Sequence, residues 1–363
     1  MAKTVDVRKT RKFLEAHTGD TSQFAGVRRF RMEEGRAAGA SFAEVWTGAG
    51  LNFTVAIGRA LDISDAFYNG RSLCWRSPAG DAHAGLYDPQ GLGWLKTFFG
   101  GLVTTCGIVH QGGPADVGGK HYGLHGPISN TPAEEVCCRT EWRDNDFVIT
   151  VSGKVREAQL FGEKLMLHRT ITAHAFEKRF FIHDVVENTG HQEEPLMLLY
   201  HINPGYPVVE DGSRLLINVD KMEPMTPHAA EGMKDYDKFH APTVGYFEKV
   251  YFITPKPARG GEDAAAVVNR ARDFGLYVKW RHDEMPCFGE WKMMGYRDYV
   301  VGIEPCTIWG MPRQKLLDRK MMPYIGAGKT REFHVEIGVL AGGADVEEFA
   351  ASLKGSLAKG RRR

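Results

Sequence analysis

The sequence lacks the features that mark membrane-spanning, secreted and disulfide-stabilised proteins. No run of 18 apolar residues is present, so we expect no transmembrane helix. Residues 1–16 are charged and have no apolar centre, so the start of the chain does not resemble a secretory signal. The six cysteines form no CxxC pair. Together these absences predict reduced thiols in a cytoplasmic protein.

Sequence motifs for common cofactors and nucleophiles are also missing. There is no P-loop and no GxGxxG segment between a strand and a helix, which disfavours ATP and dinucleotides. There is no GxSxG elbow, which disfavours a serine hydrolase. The 46 Lys and Arg residues balance the 45 Asp and Glu residues, so no global charge attracts nucleic acid or an anionic membrane. We therefore expect no cofactor, no nucleic-acid partner and no membrane partner.

The sequence instead contains many short segments in which apolar and polar residues alternate. Examples are Leu51–Ile57, Leu165–His174, Phe180–Val186 and Tyr299–Glu304. Turn signals such as Asn69-Gly70 recur about every ten residues, and helical periodicity is rare. This pattern predicts an all-β fold of large antiparallel sheets with few short helices, a sandwich or a barrel, and not a βαβ fold.

We expect a single domain over residues 1–363, because the chain shows no internal repeat and no convincing linker. Residues 1–20 are predicted to be a peripheral segment with a short helix over Val7–Ala16. A C-terminal helix is predicted over 344–358, with Asp345 as its cap, followed by a basic tail at 359–363. The polar, proline-bearing stretch 220–265 is interpreted as long loops or an insertion.

A histidine and an asparagine stand at the end of an apolar strand. Residues in Leu196–Gly205 alternate with a period of two, which places His201 and Asn203 on one face of the strand. Taken alone, such a histidine is more often a satisfied core residue than a catalytic group.

Glu304 ends a second apolar strand, between Ile303 and Pro305. Pro305 cannot donate a hydrogen bond to a neighbouring strand, so we expect the sheet to open there. A carboxylate among apolar neighbours has a raised pKa, which suits a general base near neutral pH. An exposed glutamate at a strand end is an equally good interpretation of this pattern alone.

His201 and Glu304 could form an acid/base pair from two strands, because histidine can supply a proton near neutral pH and glutamate can accept one. Interconversion of sugar anomers needs one such donor and one such acceptor. The base takes the proton of the anomeric hydroxyl, the acid protonates the ring oxygen, and the ring opens and closes again. The spacing of the two residues does not by itself select this reaction.

Aromatic and basic residues that could line a sugar pocket occur in two places. Trp291 and Lys292 lie shortly before Glu304, and Trp75 and Arg76 form a similar pair earlier in the chain. Tryptophan faces stack on the C–H faces of sugars, and Lys and Arg donate to hydroxyl groups. For any single tryptophan, a place in the core is the simpler interpretation.

Residues 112–132 are rich in glycine and proline and are predicted to form a long loop. Loops longer than about 15 residues in a compact domain are usually functional or disordered. His121 and His125 have the i, i+4 spacing of helical metal ligands, although a glycine-rich segment favours a loop. A metal site on this loop stays open as an alternative. His168 and His183, on neighbouring strands, are interpreted as structural.

Several segments together resemble the aldose 1-epimerase (galactose mutarotase-like) superfamily, and most closely a branch whose substrate is unassigned. They span nearly the whole chain and read GLNFTVAIGRALDISDAFYNG, TTCGI, GLHGPISNTPA, VVENTG, LMLLYHINPG and FGEWKMMGYRDYVVGIEPCT. The most specific pieces are Tyr200-His201 with Asn203, and Glu304-Pro305.

The resemblance implies a galactose mutarotase-like β-supersandwich with the sugar in a cleft over one large sheet. By this resemblance, His201 matches the general acid, Glu304 matches the general base, and His125 matches a second histidine that contacts the sugar.

The superfamily's sugar-binding arginine and aspartate have no unique match. Arg59, Arg71 and Arg76 are candidates for the arginine, and Arg76 is favoured. Asp211 is the candidate for the aspartate. Asp62 keeps the second charged residue of the branch's Arg-Gly-Leu-Asp segment, where this chain has Arg-Ala-Leu-Asp.

The sequence thus predicts an aldose 1-epimerase (mutarotase)-like isomerase that acts on a free aldose without a cofactor. Its predicted catalytic residues are Glu304 and His201, and no metal is expected. The predicted substrate-binding residues are His125, Arg76, Asp62, Asn203, Asp211, Trp291 and Lys292. A monosaccharide is the expected partner, and a homodimer is a possible assembly. Two alternatives stay open: a metal-dependent sugar isomerase that uses His121 and His125, and a non-catalytic carbohydrate-binding protein.

Overall fold

The computed structural model describes residues 6–257 and 260–355, and its strands form antiparallel sheets. The first strands are β1 (Gly26–Arg31), β2 (Ser41–Trp46), β3 (Leu51–Ala56), β4 (Asp62–Tyr68), β5 (Arg71–Ser72), β6 (Val103–Cys106), β7 (Ala115–Val117) and β8 (Lys120–Tyr122). Next come β9 (Glu134–Arg143), β10 (Asp146–Ala158), β11 (Lys164–His174), β12 (Arg179–Asn188), β13 (Glu194–Pro195), β14 (Leu199–Ile202), β15 (Arg214–Ile217) and β16 (Val219–Pro224). The last strands are β17 (Lys249–Pro255), β18 (Glu262–Asn269), β19 (Phe274–Arg281), β20 (Cys287–Met294), β21 (Tyr299–Cys306), β22 (Tyr324–Ile325) and β23 (Thr330–Ala341).

Helices are short and few within the described ranges. The α-helices there are α1 (Arg11–His17), α2 (Pro227–Glu231), α3 (Arg313–Asp318) and α4 (Gly343–Gly355). Single 3₁₀ turns lie at Val7–Lys9, Thr21–Gln23, Gly35–Ala37, Ala84–Leu86, Gly93–Lys96, Ile128–Asn130, Met233–Asp235 and Arg270–Arg272. In the same ranges, no helix has the length and apolar character needed to cross a membrane.

Two large sheets hold most of the strands. The first runs β1-β2-β3-β4-β6-β14-β21-β20-β17-β16, with β5 beside β4. The second runs β15-β18-β19-β23-β12-β11-β10-β9. Buried residues of both sheets belong to one continuous apolar cluster, and the rings of Phe53 on β3 and Phe180 on β12 stack with centroids 4.5 Å apart. The main core therefore lies between the two sheets.

Strands β14 and β21 are neighbours near the middle of the first sheet. The period of two sends Tyr200 and Ile202 into the core between the sheets. Leu199 and His201 therefore face the other side of the first sheet, where a smaller apolar cluster covers it. This second cover explains why β21 is buried along its whole length. A polar residue on this outer face is removed from water without entering the main core.

A buried ionic network joins the sheets directly behind His201. The Arg169 guanidinium donates to Asp62 at 3.0 Å and to Asp184 at 2.6 Å, and all three side chains are fully buried. The Tyr200 hydroxyl donates to Asp184 at 2.6 Å, and Thr105 donates to both carboxylate oxygens of Asp62. The network thus fixes strand β14 through the residue that precedes His201.

Two sequence predictions about loops are corrected by the structure. Residues 112–132 contain the β7–β8 hairpin and a 3₁₀ turn, where a long loop was expected. Residues 220–265 contain β16, α2 and β17 and the start of β18, where loops or an insertion were expected. Strands β17 and β16 are the last two strands at one end of the first sheet. Of these, β16 is the edge strand, and its half-buried and exposed polar residues hid its periodicity in the sequence.

The predicted terminal helices are present with different bounds. The peripheral N-terminal segment has a 3₁₀ turn at Val7–Lys9 and then α1, since Asp6 and Thr10 cap the two turns separately. Helix α4 begins at Gly343, so Asp345 lies inside its first turn and accepts from the backbone N–H of Ala341. The predicted basic tail at 359–363 and the end of the predicted helix lie outside the described residues.

We predict that Arg169→Met destabilises the fold by about 3–5 kcal/mol, because it leaves two buried carboxylates without their cation. Urea denaturation gives the free energy of unfolding. Arg28→Gln is the matched control, because it breaks an exposed ion pair with Glu44 and is expected to cost less than about 1 kcal/mol. Equal loss of stability in the two variants would contradict the structural role of the network.

Candidate active site

A cavity of about 690 Å³ lies on the outer face of the first sheet, over β14, β20 and β21. This volume falls in the range of small-molecule sites, about 300–1,000 Å³. Its walls are rich in aromatic side chains, which are Trp75, Trp94, Phe98, Tyr246, Phe247, Phe252, Trp291 and Trp309. Two histidines, three carboxylates and a glutamine also line it, and these are His125, His201, Glu248, Asp298, Glu304 and Gln111.

His201 and Glu304 meet at the floor of this cavity. Strands β14 and β21 pair antiparallel with Ile202 opposite Ile303, which brings the two side chains together on the cavity face. His201 Nε2 lies 3.1 Å from Glu304 Oε1, and the side chains are only 6% and 8% exposed. Among the described residues, Glu304 Oε1 has no aligned hydrogen-bond partner. The two groups are thus in contact and still available to a ligand.

Asn203 fixes the orientation and tautomer of His201. Its amide nitrogen donates to the carbonyls of Gly100 and His201, at 3.3 and 2.9 Å, so its amide oxygen must face the imidazole. His201 Nδ1–H therefore donates to Asn203 Oδ1. In a neutral ring this places the lone pair on Nε2, the nitrogen that faces Glu304.

Burial shifts the pKa values of the pair in opposite directions. Desolvation, helped by the nearby charge of Glu248, raises the pKa of Glu304 to about 8. Desolvation lowers the pKa of His201 to about 4, although the hydrogen bond to Asn203 and the charge of Glu248 both favour the imidazolium. Between these two values the pair holds one proton, which the shifts place on Glu304, 3.1 Å from His201 Nε2.

His125 is a second imidazole beside the pair. It has a positive φ of 57°, and its ring lies edge-on to that of His201 with centroids 5.8 Å apart. The backbone N–H of Gly112 donates to its Nδ1, so Nε2 carries the proton of the neutral ring. Burial, and then the charge of His201, hold the pKa of His125 well below its ordinary value. His125 is therefore a neutral donor for a ligand oxygen.

Three polar residues of the cavity were not found from the sequence. The Glu248 carboxylate accepts from the indole N–H of Trp291 at 2.6 Å. Asp298 lies half-buried in the cavity wall. Gln111 is fully buried, donates to the carbonyl of Ile308, and has no partner for its side-chain oxygen among the described residues. These residues come from loops or strand ends far apart in the chain. The sequence hinted at only one of them, Gln111, as a polar residue directly before two glycines.

Besides Asn203, which reaches the site only through His201, four predicted substrate-binding residues lie outside the cavity lining. Asp62 belongs to the buried network around Arg169, and Asp211 is exposed in the turn before β15. Arg76 pairs with Asp81 at 2.5 Å. Lys292 alternates with Trp291 on β20, so its ammonium points away from the cavity and donates to the carbonyls of Asp235 and Lys238. The structure brings Asn203, His125 and Trp291 to His201 and Glu304, but not these four.

The other two arginine candidates also lie elsewhere. The buried Arg59 guanidinium donates to the carbonyls of Ala82 and Thr97, and Arg71 lies over the Phe274 ring. Within the described part of the chain, no lysine or arginine lines the cavity. Its fixed charges are therefore carboxylates.

The alternative metal site at His121 and His125 is not assembled. His121 lies on the exposed hairpin strand β8, not on a helix, so the i, i+4 spacing does not place it beside His125. Its Nδ1 bonds Asp116 at 2.8 Å, and its Nε2 accepts from the backbone N–H of Gly91. Because both ring nitrogens of His121 are engaged and His125 faces the cavity, the two residues do not converge on a common ion.

Comparisons with known proteins agree with this architecture. A family model described as Domain of unknown function (DUF4432) matches residues 37–339. A crystal structure of a candidate aldose 1-epimerase from Klebsiella pneumoniae shares 25% identity, with a TM-score of 0.88, and the match covers 92% of this chain and 88% of that one. No match was found among curated proteins.

More distant structures share the fold. A galactose mutarotase-like protein from Clostridium acetobutylicum has 13% identity and a TM-score of 0.62, over 87% of this chain and 99% of that one. Galactose 1-epimerase from Lactobacillus acidophilus has 12% identity and a TM-score of 0.55, over 88% and 99%. The all-β prediction and the resemblance to the galactose mutarotase-like superfamily are confirmed.

We predict that His201 is neutral at pH 7 and carries its proton on Nδ1, because of the hydrogen bond to Asn203 and the burial of the ring. Nitrogen-15 NMR of histidine-labelled protein distinguishes the tautomers, and His201→Gln assigns the signal. Asn203→Leu is expected to remove the preference for Nδ1–H. A wild-type ring protonated only on Nε2 would contradict this geometry.

Proposed function

This chain belongs to the DUF4432 family, whose description gives no activity, and from its cavity we propose that it is an aldose 1-epimerase-like isomerase. The observation that carries the proposal is the buried contact between His201 and Glu304 in a cavity lined by aromatic side chains. A general acid and a general base in contact can act on two oxygens bonded to the same carbon. The anomeric carbon of an aldose has such a pair, its hydroxyl O1 and the ring oxygen O5.

The pair supports ring opening without a change in its own proton count. Glu304 accepts the O1–H proton, and the electrons of that bond form the C1=O1 double bond. The C1–O5 bond breaks, and O5 takes a proton from His201 Nε2–H. After rotation about C1–C2, the reverse steps close the other anomer.

The substrate is proposed to place the proton where these roles need it. In the free protein, burial favours the proton on Glu304. An O1–H group that donates to the carboxylate stabilises its ionised form and so favours transfer of the proton to His201 Nε2. Asn203 and Glu248 both stabilise the imidazolium that results.

The cavity suits an uncharged monosaccharide. Trp75 and Trp291 offer faces for the sugar C–H groups, and Glu248, Asp298 and the free oxygen of Gln111 can accept from its hydroxyls. With no cation among the described lining residues, a phosphate or carboxylate group on the sugar would meet only carboxylates of like charge. The cytoplasmic location, the absence of nucleic-acid and membrane partners and the homodimer stay predictions.

We expect Glu304→Gln and His201→Asn each to slow anomer interconversion by about 10²–10⁴, the usual loss of one general acid or base. Polarimetry on freshly dissolved pure anomers measures the rate across a panel of neutral aldoses and their phosphates. His168→Asn and Glu187→Gln are matched controls, because they break a His–Glu contact of 3.0 Å on the second sheet. The mechanism fails if no aldose is accelerated by wild-type protein, or if Glu304→Gln retains the full rate.

The pH profile of kcat/KM is expected to be a bell with limbs near pH 4 and pH 8. Below the lower value both groups are protonated and no acceptor remains. Above the higher value both are deprotonated and no donor remains, so activity falls as pH rises. The rates must be corrected for spontaneous mutarotation in buffer. A corrected rate that keeps rising above pH 9 would contradict the one-proton pair.

A further inference from the structure

A second group of convergent side chains lies on the second sheet, whereas strand β14 belongs to the first. His183 on β12 and His334 on β23 are directly opposed in register, and their rings stack with centroids 4.4 Å apart and planes 14° apart. Glu332 precedes His334 by two residues and so points to the same face of β23. All three side chains are about half exposed, so an ion can reach them from solvent.

The donor atoms of these residues face one another. His183 Nε2 lies 3.1 Å from Glu332 Oε2, and His334 Nε2 lies 4.0 Å from the same oxygen. One ligand atom from each residue falls within 4.8 Å of the other two. Ligands of a tetrahedral zinc ion at about 2.0–2.2 Å lie roughly 3.3 Å from one another. Small side-chain rotations would therefore close this group around an ion.

Glu284 holds the His334 ring in an orientation suited to metal binding. It lies after β19 and accepts from His334 twice, from the backbone N–H at 2.7 Å and from the ring Nδ1 at 2.8 Å. An ionised carboxylate can only accept, so Nδ1 carries the ring proton and the lone pair lies on Nε2. Arg281 lies 3.3 Å from Glu284 and helps to hold the carboxylate in place. A carboxylate behind the imidazole is the usual support of a metal-binding histidine.

We propose that His183, His334 and Glu332 bind a divalent transition-metal ion such as Zn²⁺, with Glu284 as the positioning residue for His334. Two imidazoles and one carboxylate suit Zn²⁺ and its neighbours in the first transition row, whereas Mg²⁺ prefers oxygen ligands. The ion would bridge β12 and β23, which pair in the middle of the second sheet. The proposal is independent of the acid/base chemistry at His201, which lies on the other sheet.

The test is calorimetric titration of the chelator-treated, tag-free full chain with Zn²⁺ alone. One ion per chain is expected for wild type, with affinity that rises from pH 6 to pH 8 because the imidazoles must be deprotonated. Glu284→Gln is expected to weaken binding by about 10–100-fold. The double variant His183→Asn, His334→Asn and the single variant Glu332→Gln are expected to weaken it further. His168→Asn is the matched control on the same sheet and should bind as wild type does.

Three results would overturn the proposed metal site. Unchanged Zn²⁺ binding in the double variant or in Glu332→Gln would show that the ion binds elsewhere. Loss of binding in His125→Asn alone would place the ion in the cavity. Equal affinity for Mg²⁺ would indicate an unspecific acidic surface. A melting temperature raised by Zn²⁺ in wild type but not in the folded double variant would support a bridge between β12 and β23.

Discussion

The desolvated contact between His201 and Glu304 is the constraint on which the candidate site depends. Each group loses water on the covered outer face of the first sheet, and each loss disfavours the charged form. Because the pKa of Glu304 rises and that of His201 falls, the two side chains hold one proton between them over the whole neutral range. Such a pair can both give and take a proton in one event. That property, more than the identity of either residue, is what a ring-opening reaction requires.

The fold supplies this contact through strand alternation. Tyr200 points into the core and binds Asp184, which in turn binds Arg169, so the residue before His201 is fixed by a buried ionic network. Asn203, two residues further along, fixes the imidazole from the same side as the cavity. The orientation of His201 thus rests on groups that lie outside the cavity lining. Asp62 has this kind of role, since it completes the network behind β14.

The sequence was informative where local periodicity decides the outcome. A period of two was enough to place His201 and Asn203 on one face. The apolar strand that ends at Glu304-Pro305 offered Glu304 as a partner, and the resemblance matched the two residues to a general acid and a general base. Periodicity alone could not tell which face of β20 would be the cavity, so Trp291 and Lys292 were both assigned to it although they point opposite ways. Gln111 and Glu248 enter the cavity from segments far apart in the chain. No local pattern encodes such a meeting, which is set by the packing of the sheet. The edge strand β16, within residues 220–265, was missed because its faces are neither cleanly buried nor cleanly exposed.

The most direct measurement is saturation transfer between the α and β anomeric protons of a neutral aldose that binds wild-type protein, followed by NMR at pH 7. Calorimetry first establishes that the sugar binds. If the His201–Glu304 pair opens the ring, magnetisation passes between the anomers faster with catalytic amounts of protein than in buffer. Firm binding with no acceleration of exchange would contradict this account and would instead indicate a carbohydrate-binding protein.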